Sequence, residues 1–269
     1  MQTPLRIVKL RACQSGSLIA QAINDPPSGI FIMRIQTEHN QICWYAEGAF
    51  RDPSSQLFDP AWWQNNRQVV GTAIGRGVTW FVKDESRHLV LRHYYRGGMV
   101  GKVVRDRFWF EGVESSRAMA EYTLLAKLCE LGLPVPRPFG ARMVKQGPFY
   151  RADILIERIR GAKDMVALLK QGPVAAEVWQ KIGQTVRQFH DAGVYHADLN
   201  SHNLLIDKES KVWVIDFDKG AIRSPGEWQK ANLERLQRSF NKEAQLHTSF
   251  HFVPENWQTL MNGYHTKAI

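Results

Sequence analysis

The feature that most constrains the fold is an ordered pair of polar runs in the second half of the chain. The run HADLNSHN occupies residues 196–203, after an amphipathic segment at residues 173–189, and the run DFD follows at residues 216–218. Two short apolar runs, at residues 204–206 and 212–215, lie between them and predict two strands joined by a turn. The sequence therefore predicts a helix, a polar loop, a strand hairpin and a second polar loop, in that order.

The two loops carry side chains that suit phosphoryl transfer from ATP. In that reaction one carboxylate orients or deprotonates the attacking hydroxyl, a second carboxylate holds Mg²⁺ against the β- and γ-phosphates, and a neutral oxygen ligand shares the metal. Asp198, Asp216 and Asn203 supply these residue types. The alternative interpretation is a surface loop with two unconnected aspartates.

Composition restricts the partners and excludes several classes of protein. The 269 residues include 35 Lys and Arg against 26 Asp and Glu, a net charge of +9, which indicates an anionic partner such as nucleic acid, phospholipid or a phosphorylated substrate. The three cysteines, Cys13, Cys43 and Cys129, form no C-x-x-C pair, so a zinc ribbon or dithiol redox site has no support. No apolar run approaches the roughly 20 residues of a membrane span, and a soluble or peripheral protein is expected.

The distribution of strand and helix signals predicts an α+β fold with two lobes. Residues 33–160 are rich in strand signals, including the hairpin at residues 69–82, and contain one helix at residues 114–131. Residues 161–269 are rich in helix signals. We expect a strand-rich N-lobe that covers the nucleotide and a helix-rich C-lobe with the catalytic and metal-binding residues. A crevice is predicted near residue 160.

Residues 1–32 are patterned more weakly than the rest of the chain. They contain the breaker cluster DPPSG at residues 25–29, and Met33 follows shortly afterwards. Two interpretations stay open: an extension that precedes a natural start at Met33, or a real, loosely packed N-terminal segment.

The pattern H-x-D-L-x-x-x-N, followed by D-F-x, resembles the catalytic and metal-binding loops of the protein-kinase-like superfamily. The resemblance implies a two-lobed kinase-like fold. It implies that Asp198 is the catalytic base and that Asn203 and Asp216 bind Mg²⁺. It gives His196 a role in bracing the backbone rather than in catalysis.

The same resemblance assigns the nucleotide site to the N-terminal half. Gly75, Arg76 and Gly77, between two predicted strands, are the candidate loop over the phosphates, although a plain hairpin turn has the same sequence signature. The lysine that holds the α- and β-phosphates in kinases is replaced by Arg92, with Glu121 as its predicted partner; Lys102 is the second candidate for this cation. Glu157 to Ile159 would form the hinge that reads adenine.

Several parts of protein kinases are missing. Asn200 stands where a lysine is common, D-F-G is replaced by D-F-D, and neither an A-P-E segment nor a long activation loop follows. These departures argue against a regulated protein kinase and favour a compact kinase for a small molecule or a glycolipid.

One subfamily is similar over most of the chain, from about residue 40 to 265. The chain resembles 3-deoxy-D-manno-octulosonic acid (Kdo) kinases in the runs RHYYRGG, GLPVPRP, HADLN, DFDK and NLERLQRSF. The resemblance implies an ATP- and Mg²⁺-dependent kinase that phosphorylates the 4-hydroxyl of Kdo on lipid A in Gram-negative bacteria. It places the protein peripherally on the cytoplasmic face of the inner membrane, where lipopolysaccharide core is made.

The charge pattern agrees with an anionic acceptor at a membrane surface. Cationic and aromatic side chains are interleaved at residues 92–110, as an acidic glycolipid at a membrane would require. The plain alternative is a solvated basic face with aromatic residues in the core. The tail helix carries Arg235, Arg238 and Lys242 on a similar face and is a second candidate for the membrane or acceptor side. No nucleic-acid-binding module is recognised, so nucleic acid is not expected as a partner.

Rival functions differ in acceptor or in chemistry. A heptose kinase, or another sugar or aminoglycoside kinase, would share the same loops. A pseudokinase that binds nucleotide, or a lipid-docking module without turnover, is the alternative of another class, and a protein kinase is a third.

Overall fold

The computed structural model describes residues 6–12, 18–21, 32–75, 77–85, 87–97 and 105–266, with residues 6–12, 18–21 and 32 described by their backbone. The chain divides into two compact units. The first comprises Met1–Glu130 and Arg137–Arg158, and the second comprises Leu131–Pro136 and Ile159–Ile269. The chain enters the second unit briefly at residues 131–136, returns to the first unit, and enters the second unit again at residue 159.

The first unit is built around one large antiparallel sheet. Among the described residues it has ten strands, in the order β2-β1-β3-β4-β9-β10-β7-β6-β5, with β8 beside β10. The strands are β1 (Arg6–Ala12), β2 (Leu18–Gln21), β3 (Ile32–Glu38), β4 (Gln41–Ala46), β5 (Val69–Ile74), β6 (Val78–Asp84), β7 (Arg87–His93), β8 (Phe108–Trp109), β9 (Pro138–Gln146) and β10 (Phe149–Glu157).

The side chains of β7 alternate between the two faces of the sheet, and each face packs against other parts of the first unit. Leu89 and Leu91 are fully buried in an apolar cluster with Leu155 of β10 and Trp63. Because successive side chains of a strand point to opposite faces, Arg92 lies on the other face. There it contacts Glu121 of helix α2 (Arg117–Glu130), which packs on β9 and β10.

Helices interrupt the strand-rich region where the sequence predicted mostly strands. A 3₁₀ turn at Ser55–Phe58 leads into α1 (Pro60–Asn65), whose first turn is capped because the Asp59 carboxylate accepts from the Ala61 N–H at 2.9 Å. Proline at the first helical position is compatible with this start. The strand signals of this region did not indicate the helical turns at residues 55–65, where capping and the buried Trp63 determine the structure.

The predicted helix at residues 114–131 is confirmed, with a start three residues later. Ala118, Tyr122 and Leu125 are buried as the spacing predicted, and Cys129 is partly buried. Gly132 follows the helix with a positive φ of 71°, which suits a glycine after a helix end. Glu121, the predicted partner of Arg92, lies in the middle of this helix and is 2% exposed, so it is not a solvated helix charge.

The N-terminal segment contributes strands to the edge of the sheet. β1 pairs antiparallel with β3, with Arg6 opposite Ile35, and β2 pairs antiparallel with β1. The weak pattern of residues 1–32 did not predict these strands. Cys13 lies outside the described residues.

The second unit is mainly helical. Its helices are α3 (Met165–Gln171), α4 (Ala176–Asp191), α5 (Trp228–Leu246) and α6 (Pro254–His265). Its short strands are β11 (Lys163–Asp164), β12 (Val194–Tyr195), β13 (Leu204–Ile206), β14 (Val212–Val214) and β15 (Ala221–Ile222), which form the antiparallel sheets β11-β13-β14 and β12-β15. The predicted hairpin between the two polar loops is therefore confirmed as β13 and β14.

Helices α4 and α6 approach closely through glycines. A Cβ at Gly183 would lie 1.9 Å from the Leu260 carbonyl oxygen, and a Cβ at Gly263 would lie 2.2 Å from that of Gln180. Val178, Ile182, Val186 and Phe189 of the predicted amphipathic helix are buried. Val174, the first apolar position of the predicted stripe, is half-buried and precedes the helix, which begins at Ala176 rather than Pro173. This packing stabilises the helix that leads into the first polar loop.

Candidate active site

His196 joins the two polar loops of the second unit through backbone contacts. Its Nδ1 accepts from the Asp198 N–H at 3.1 Å, and its Nε2 donates to the Ile215 carbonyl oxygen at 2.9 Å. This pair of bonds assigns a neutral imidazole with the proton on Nε2. Burial lowers the pKa of His196 and outweighs the Ile215 hydrogen bond, which raises it. The side chain thus holds the residue before Asp216 next to the Asp198 loop.

Asparagines set the shape of the loop between Asp198 and β13. The Asn200 side chain caps the 3₁₀ turn Ser201–Asn203, because its Oδ1 accepts from the N–H groups of His202 and Asn203 at 2.9 and 3.1 Å. The Nδ2 of Asn203 donates to the Asp198 carbonyl oxygen at 3.0 Å. Asn200, which departs from the kinase pattern, therefore has a structural role in the turn.

Asp216 lies directly after the hairpin in an uncommon backbone conformation. The Ile215 N–H donates to the Asn203 carbonyl oxygen at 3.0 Å, which brings the two loops together one residue before Asp216. Asp216 has a φ of +63°, a region that aspartate tolerates better than most residues. Phe217 is fully buried; its ring stacks on Phe189 with centroids 5.7 Å apart. The fold thus fixes the backbone on both sides of the Asp216 carboxylate.

Helix α5 lies along the first polar loop. Buried Asn232 binds the His196 backbone twice, donating to its carbonyl oxygen at 2.9 Å and accepting from its N–H at 3.3 Å. One turn later, Arg235 Nη1 donates to Asp198 Oδ1 at 3.1 Å. The sequence predicted this helix as basic but gave no signal that Arg235 contacts Asp198, because 37 residues separate them.

In the first unit the structure places Arg92 against Glu121. The Arg92 Nη2 donates to both Glu121 oxygens, at 2.7 and 2.5 Å, and the Tyr94 hydroxyl donates to Oε2 at 2.6 Å. Burial raises the pKa of Tyr94, and the adjacent Glu121 charge raises it further, so the phenol remains a donor. The sequence analysis grouped Tyr94 with the aromatic residues of a possible membrane surface, whereas the structure buries it, 4% exposed, in this cluster.

The predicted phosphate-covering loop is a tight hairpin turn between β5 and β6. The Gly75 N–H donates to the Gly77 carbonyl oxygen at 2.9 Å. A Cβ at Gly77 would lie 1.9 Å from the Tyr95 ring, so a larger residue here requires this half-buried side chain to move. Arg76 and Lys102, two of the predicted phosphate contacts, lie outside the described residues.

The predicted hinge residues lie at the end of β10. Glu157 exchanges hydrogen bonds with Arg137: its N–H donates to the Arg137 carbonyl oxygen at 2.8 Å, and its Oε2 accepts from the Arg137 N–H at 3.2 Å. Ile159 is the first residue of the second segment of the second unit. The Glu157 carboxylate therefore fixes the neighbouring strand.

A cavity of about 520 Å³ lies in the first unit, on the sheet face opposite Arg92. Its lining includes His93, Tyr95, Arg142 and Asp153, and it contains none of the described nucleotide-binding candidates. The buried Asp153 carboxylate accepts from Arg142 Nε at 2.9 Å and contacts His93 Nδ1 at 2.7 Å. Burial lowers the pKa of His93, but Asp153 and Asp106 raise it more, and the net shift is upward.

Neither a cluster of typical metal ligands nor a membrane-spanning helix is present among the described residues. They contain no group of three or more His, Cys, Asp or Glu that could hold a metal ion. The oxygen donors at the predicted metal site are instead a carboxylate and an amide, Asp216 and Asn203. Among the helices in the described part of the chain, none has the length and hydropathy needed to cross a bilayer.

Comparison with known proteins agrees with this set of loops. The model of the lipopolysaccharide kinase (Kdo/WaaP) family matches residues 60–264. A 3-deoxy-D-manno-octulosonic acid kinase of Vibrio parahaemolyticus serotype O3:K6 is 49% identical over 206 residues, which are 77% of this chain and 87% of the relative. Kinases of the same name from Vibrio cholerae serotype O1 and Haemophilus influenzae are 46% and 42% identical, covering 78% and 80% of this chain and 90% and 92% of theirs.

The fold and the loops define a protein-kinase-like α+β phosphotransferase that acts on a hydroxyl group. More narrowly, the chain belongs to the lipopolysaccharide kinase (Kdo/WaaP) family, as the resemblance in its sequence implied.

Proposed function

We propose that this protein is an ATP-dependent kinase that phosphorylates the 4-hydroxyl of Kdo on Kdo-lipid A during synthesis of the lipopolysaccharide core. The relatives named as Kdo kinases support the sugar. The observation that carries the chemistry is the hydrogen-bonded network of His196, Asp198, Asn203 and Ile215, which holds the two polar loops of the second unit together.

Asp198 is assigned the role of base. The acceptor oxygen attacks the γ-phosphorus, the bond from that phosphorus to the β-phosphate oxygen breaks, and ADP leaves. The proton of the hydroxyl passes to the Asp198 carboxylate, whose side chain is 49% exposed and therefore accessible to an acceptor. Positioning and charge neutralisation provide most of the rate enhancement in phosphoryl transfer, and general-base catalysis adds about 10²–10⁴-fold.

Asn203 and Asp216 fit a hard cation such as Mg²⁺, which prefers oxygen ligands. The Nδ2 of Asn203 is engaged by the Asp198 carbonyl oxygen, so the amide oxygen is its metal-binding atom. When bound, Mg²⁺ supplies charge that neutralises the phosphates. The Asp216 carboxylate would be the second ligand of this cation.

ATP is assigned to residues of the first unit and the chain segment that follows it. Arg92 holds the α- and β-phosphates, and Glu121 orients its guanidinium through two contacts. The turn of Gly75, Arg76 and Gly77 covers the phosphates, and backbone groups of Glu157 to Ile159 read adenine. An arginine suits this role because its guanidinium stays charged and can bind phosphate and carboxylate together.

An anionic membrane surface, the cytoplasmic face of the inner membrane, is the proposed location. Trp109 of β8 is 59% exposed and packs edge-on against Phe149, and Lys145 Nζ lies 4.5 Å from the centre of the Phe110 ring. Amphipathic aromatic and cationic side chains favour the interface of an anionic membrane. The net charge of +9 also favours binding to an anionic surface. Nucleic acid is not proposed as a partner.

The test is mass spectrometry of Kdo-lipid A after incubation with the protein, ATP and Mg²⁺. We expect the gain of one phosphate on the Kdo residue, and NMR of the product should place it on the 4-hydroxyl. Asp198→Ala should lose turnover by about 10²–10⁴-fold while still binding a fluorescent ATP analogue. Asp191→Ala is the matched control, because Asp191 is also exposed and paired with an arginine, Arg187, at 2.7 Å.

Other outcomes identify the rivals. Phosphate transfer only to heptose-bearing cores would indicate a heptose kinase, and transfer only to other sugars a kinase with another acceptor. Failure to consume ATP with any acceptor would indicate a pseudokinase or a lipid-docking module. Equal turnover in Asp198→Ala and the wild type would remove Asp198 from the mechanism.

A further inference from the structure

We infer that Arg235 binds the carboxylate of the acidic sugar acceptor, and so selects an acidic sugar over a neutral one. This inference rests on the proposed function, because it assigns a ligand to the same site. Its basis is the position of a single arginine that contacts the candidate base directly, from a helix fixed on the loop that carries that base.

The position of Arg235 is set by the packing of α5. Asn232 binds the His196 backbone, Ser239 Oγ lies 2.8 Å from Ser201 Oγ, and Glu243 Oε1 lies 3.3 Å from His202 Nε2. These residues recur three to four positions apart, so they lie with Arg235 on one face of the helix. Leu236 and Phe240, beside them, are fully buried. The helix is therefore anchored on both sides of Arg235, over the whole length of the loop.

The contact with Asp198 places a cation next to the reacting hydroxyl. Arg235 Nη1 lies 3.1 Å from Asp198 Oδ1, and the two side chains are 48% and 49% exposed. A hydroxyl that gives its proton to Asp198 must come within hydrogen-bond distance of this carboxylate. Groups attached close to that hydroxyl on the acceptor then come within reach of the guanidinium.

The chemistry of the guanidinium favours a carboxylate among those groups. It carries five N–H donors in a planar fork, and the Asp198 contact engages one nitrogen. The fork matches a planar carboxylate in bidentate geometry. In Kdo the carboxylate and the 4-hydroxyl are borne by ring carbons separated by one further carbon, so one arginine can serve both Asp198 and the acceptor. A half-exposed ion pair adds little to stability, which leaves ligand binding as the better account of this arginine.

The experiment compares Kdo-lipid A with its carboxyl methyl ester as acceptors for the wild type and for Arg235→Gln. In the wild type we expect kcat/KM to be higher for the acid than for the ester. Arg235→Gln should lose most of this preference, about 10- to 100-fold for the loss of charge-assisted hydrogen bonds, mainly through a higher KM for the acid. Arg235→Lys should fall between the two, since lysine keeps the charge and loses the fork.

Arg187→Gln is the matched control, because Arg187 forms an exposed pair with Asp191 on α4. Its preference for the acid should equal that of the wild type. Thermal unfolding of Arg235→Gln should match the wild type, so a lost preference does not reflect misfolding.

Two results would overturn the inference while leaving the proposed function intact. One is an unchanged ratio of acid to ester in Arg235→Gln. The other is an equal fall in kcat for both acceptors, which would make Arg235 a positioning residue for Asp198 alone. If the wild type phosphorylates neither acceptor, the proposed function fails and this inference fails with it.

Discussion

The imidazole of His196 donates its Nε2–H to the carbonyl oxygen of Ile215 at 2.9 Å, across 19 residues of chain. With the bond from the Asp198 N–H to Nδ1, it makes a bridge from the loop of the candidate base to the loop of a candidate metal ligand. Both hydrogen bonds are to backbone atoms, so the bridge fixes the path of the chain between the two loops.

Replacing His196 by phenylalanine tests this bridge. Phenylalanine keeps an aromatic ring against Phe217, whose centroid lies 4.8 Å from that of the imidazole, and it removes both hydrogen bonds. We expect the free energy of unfolding to fall by about 1–3 kcal/mol, for two lost buried hydrogen bonds. Turnover should fall by about tenfold or more, which corresponds to roughly 1.4 kcal/mol of transition-state stabilisation.

Urea unfolding and steady-state kinetics measure the two effects. His251→Phe is the control, because His251 is exposed and the hydrogen bond that it donates to Leu169 comes from its backbone N–H, which the substitution keeps. Wild-type turnover in His196→Phe would contradict the role of the bridge.

Replacing Arg92 by methionine should separate its structural contribution from its contribution to ATP binding. Glu121 is almost fully buried, and breaking a buried ion pair by removing one partner costs about 3–5 kcal/mol. Because Arg92 itself is 21% exposed, we expect about 3 kcal/mol in urea unfolding, and a higher KM for ATP. The double variant Arg92→Met with Glu121→Gln should recover much of the stability, because the buried charge is removed.

That double variant should still bind ATP poorly, since the phosphate contact is absent. Recovery of ATP binding together with stability would show that Arg92 acts only through the fold. Arg34→Met is the control for a partly exposed pair, Arg34 with Glu47, and should cost about 1 kcal/mol or less.

Gly183→Ala should destabilise the second unit although alanine is the better helix former. Alanine gains about 1 kcal/mol over glycine in a helix interior. At this position, however, the added Cβ would lie 1.9 Å from the Leu260 carbonyl oxygen and 2.6 Å from the Tyr264 nitrogen. These are backbone atoms, so α4 and α6 must move apart, and overpacking typically costs about 1–3 kcal/mol.

We therefore expect a lower melting temperature for Gly183→Ala in differential scanning calorimetry. Gly172→Ala provides the comparison, since nothing lies within 4 Å of its added Cβ, and it should be nearly neutral. Stabilisation by Gly183→Ala would mean that the two helices are not packed as described.

His190 should make the protein less stable as the pH falls. Burial lowers its pKa to about 4, against about 6.5 in an unfolded chain. A histidine with a lowered pKa contributes its full stability above pH 6.5 and loses it as the pH falls from there towards 4, because the unfolded state binds the proton first. Between pH 7 and pH 5 the loss should be about 2 kcal/mol.

Urea unfolding at several pH values measures this loss. His190→Gln removes the titrating group, so its stability should depend less steeply on pH over the same interval, whatever its stability at pH 7. An identical slope in wild type and variant would rule out His190 as the source.

Local patterns predicted much of the fold. The strands around the hairpin at residues 69–82, the helix α2, and the strands β13 and β14 follow from periodicity and turn residues within short windows. The family could also be identified from the sequence, because Asp198, Asn203 and Asp216 lie within one loop and one hairpin, so their spacing is a local feature of the chain. The helix α1 was missed, since the cap by Asp59 and the burial of Trp63 give weak signals beside strong strand formers.

Long-range contacts within the first unit could not be predicted from the sequence. Gly77 resembles a phosphate-binding glycine in sequence, and the structure adds that the Tyr95 ring occupies the space of its side chain. The cluster of His93, Arg142 and Asp153 lies beside a cavity that no motif indicated. These relationships depend on the register of β6, β7, β9 and β10, which single-sequence patterns do not specify.

The sequence by itself determined the class of reaction, because the order and spacing of two carboxylates and an amide are local properties of the chain. Only the tertiary structure decided what surrounds them: that α5 lies along the loop of Asp198, that Arg235 contacts its carboxylate, and that His196 bonds to Ile215. The physical reason is that a side chain's neighbours are set by the packing of whole helices and strands, which is cooperative and non-local, whereas a motif records only which residues follow one another.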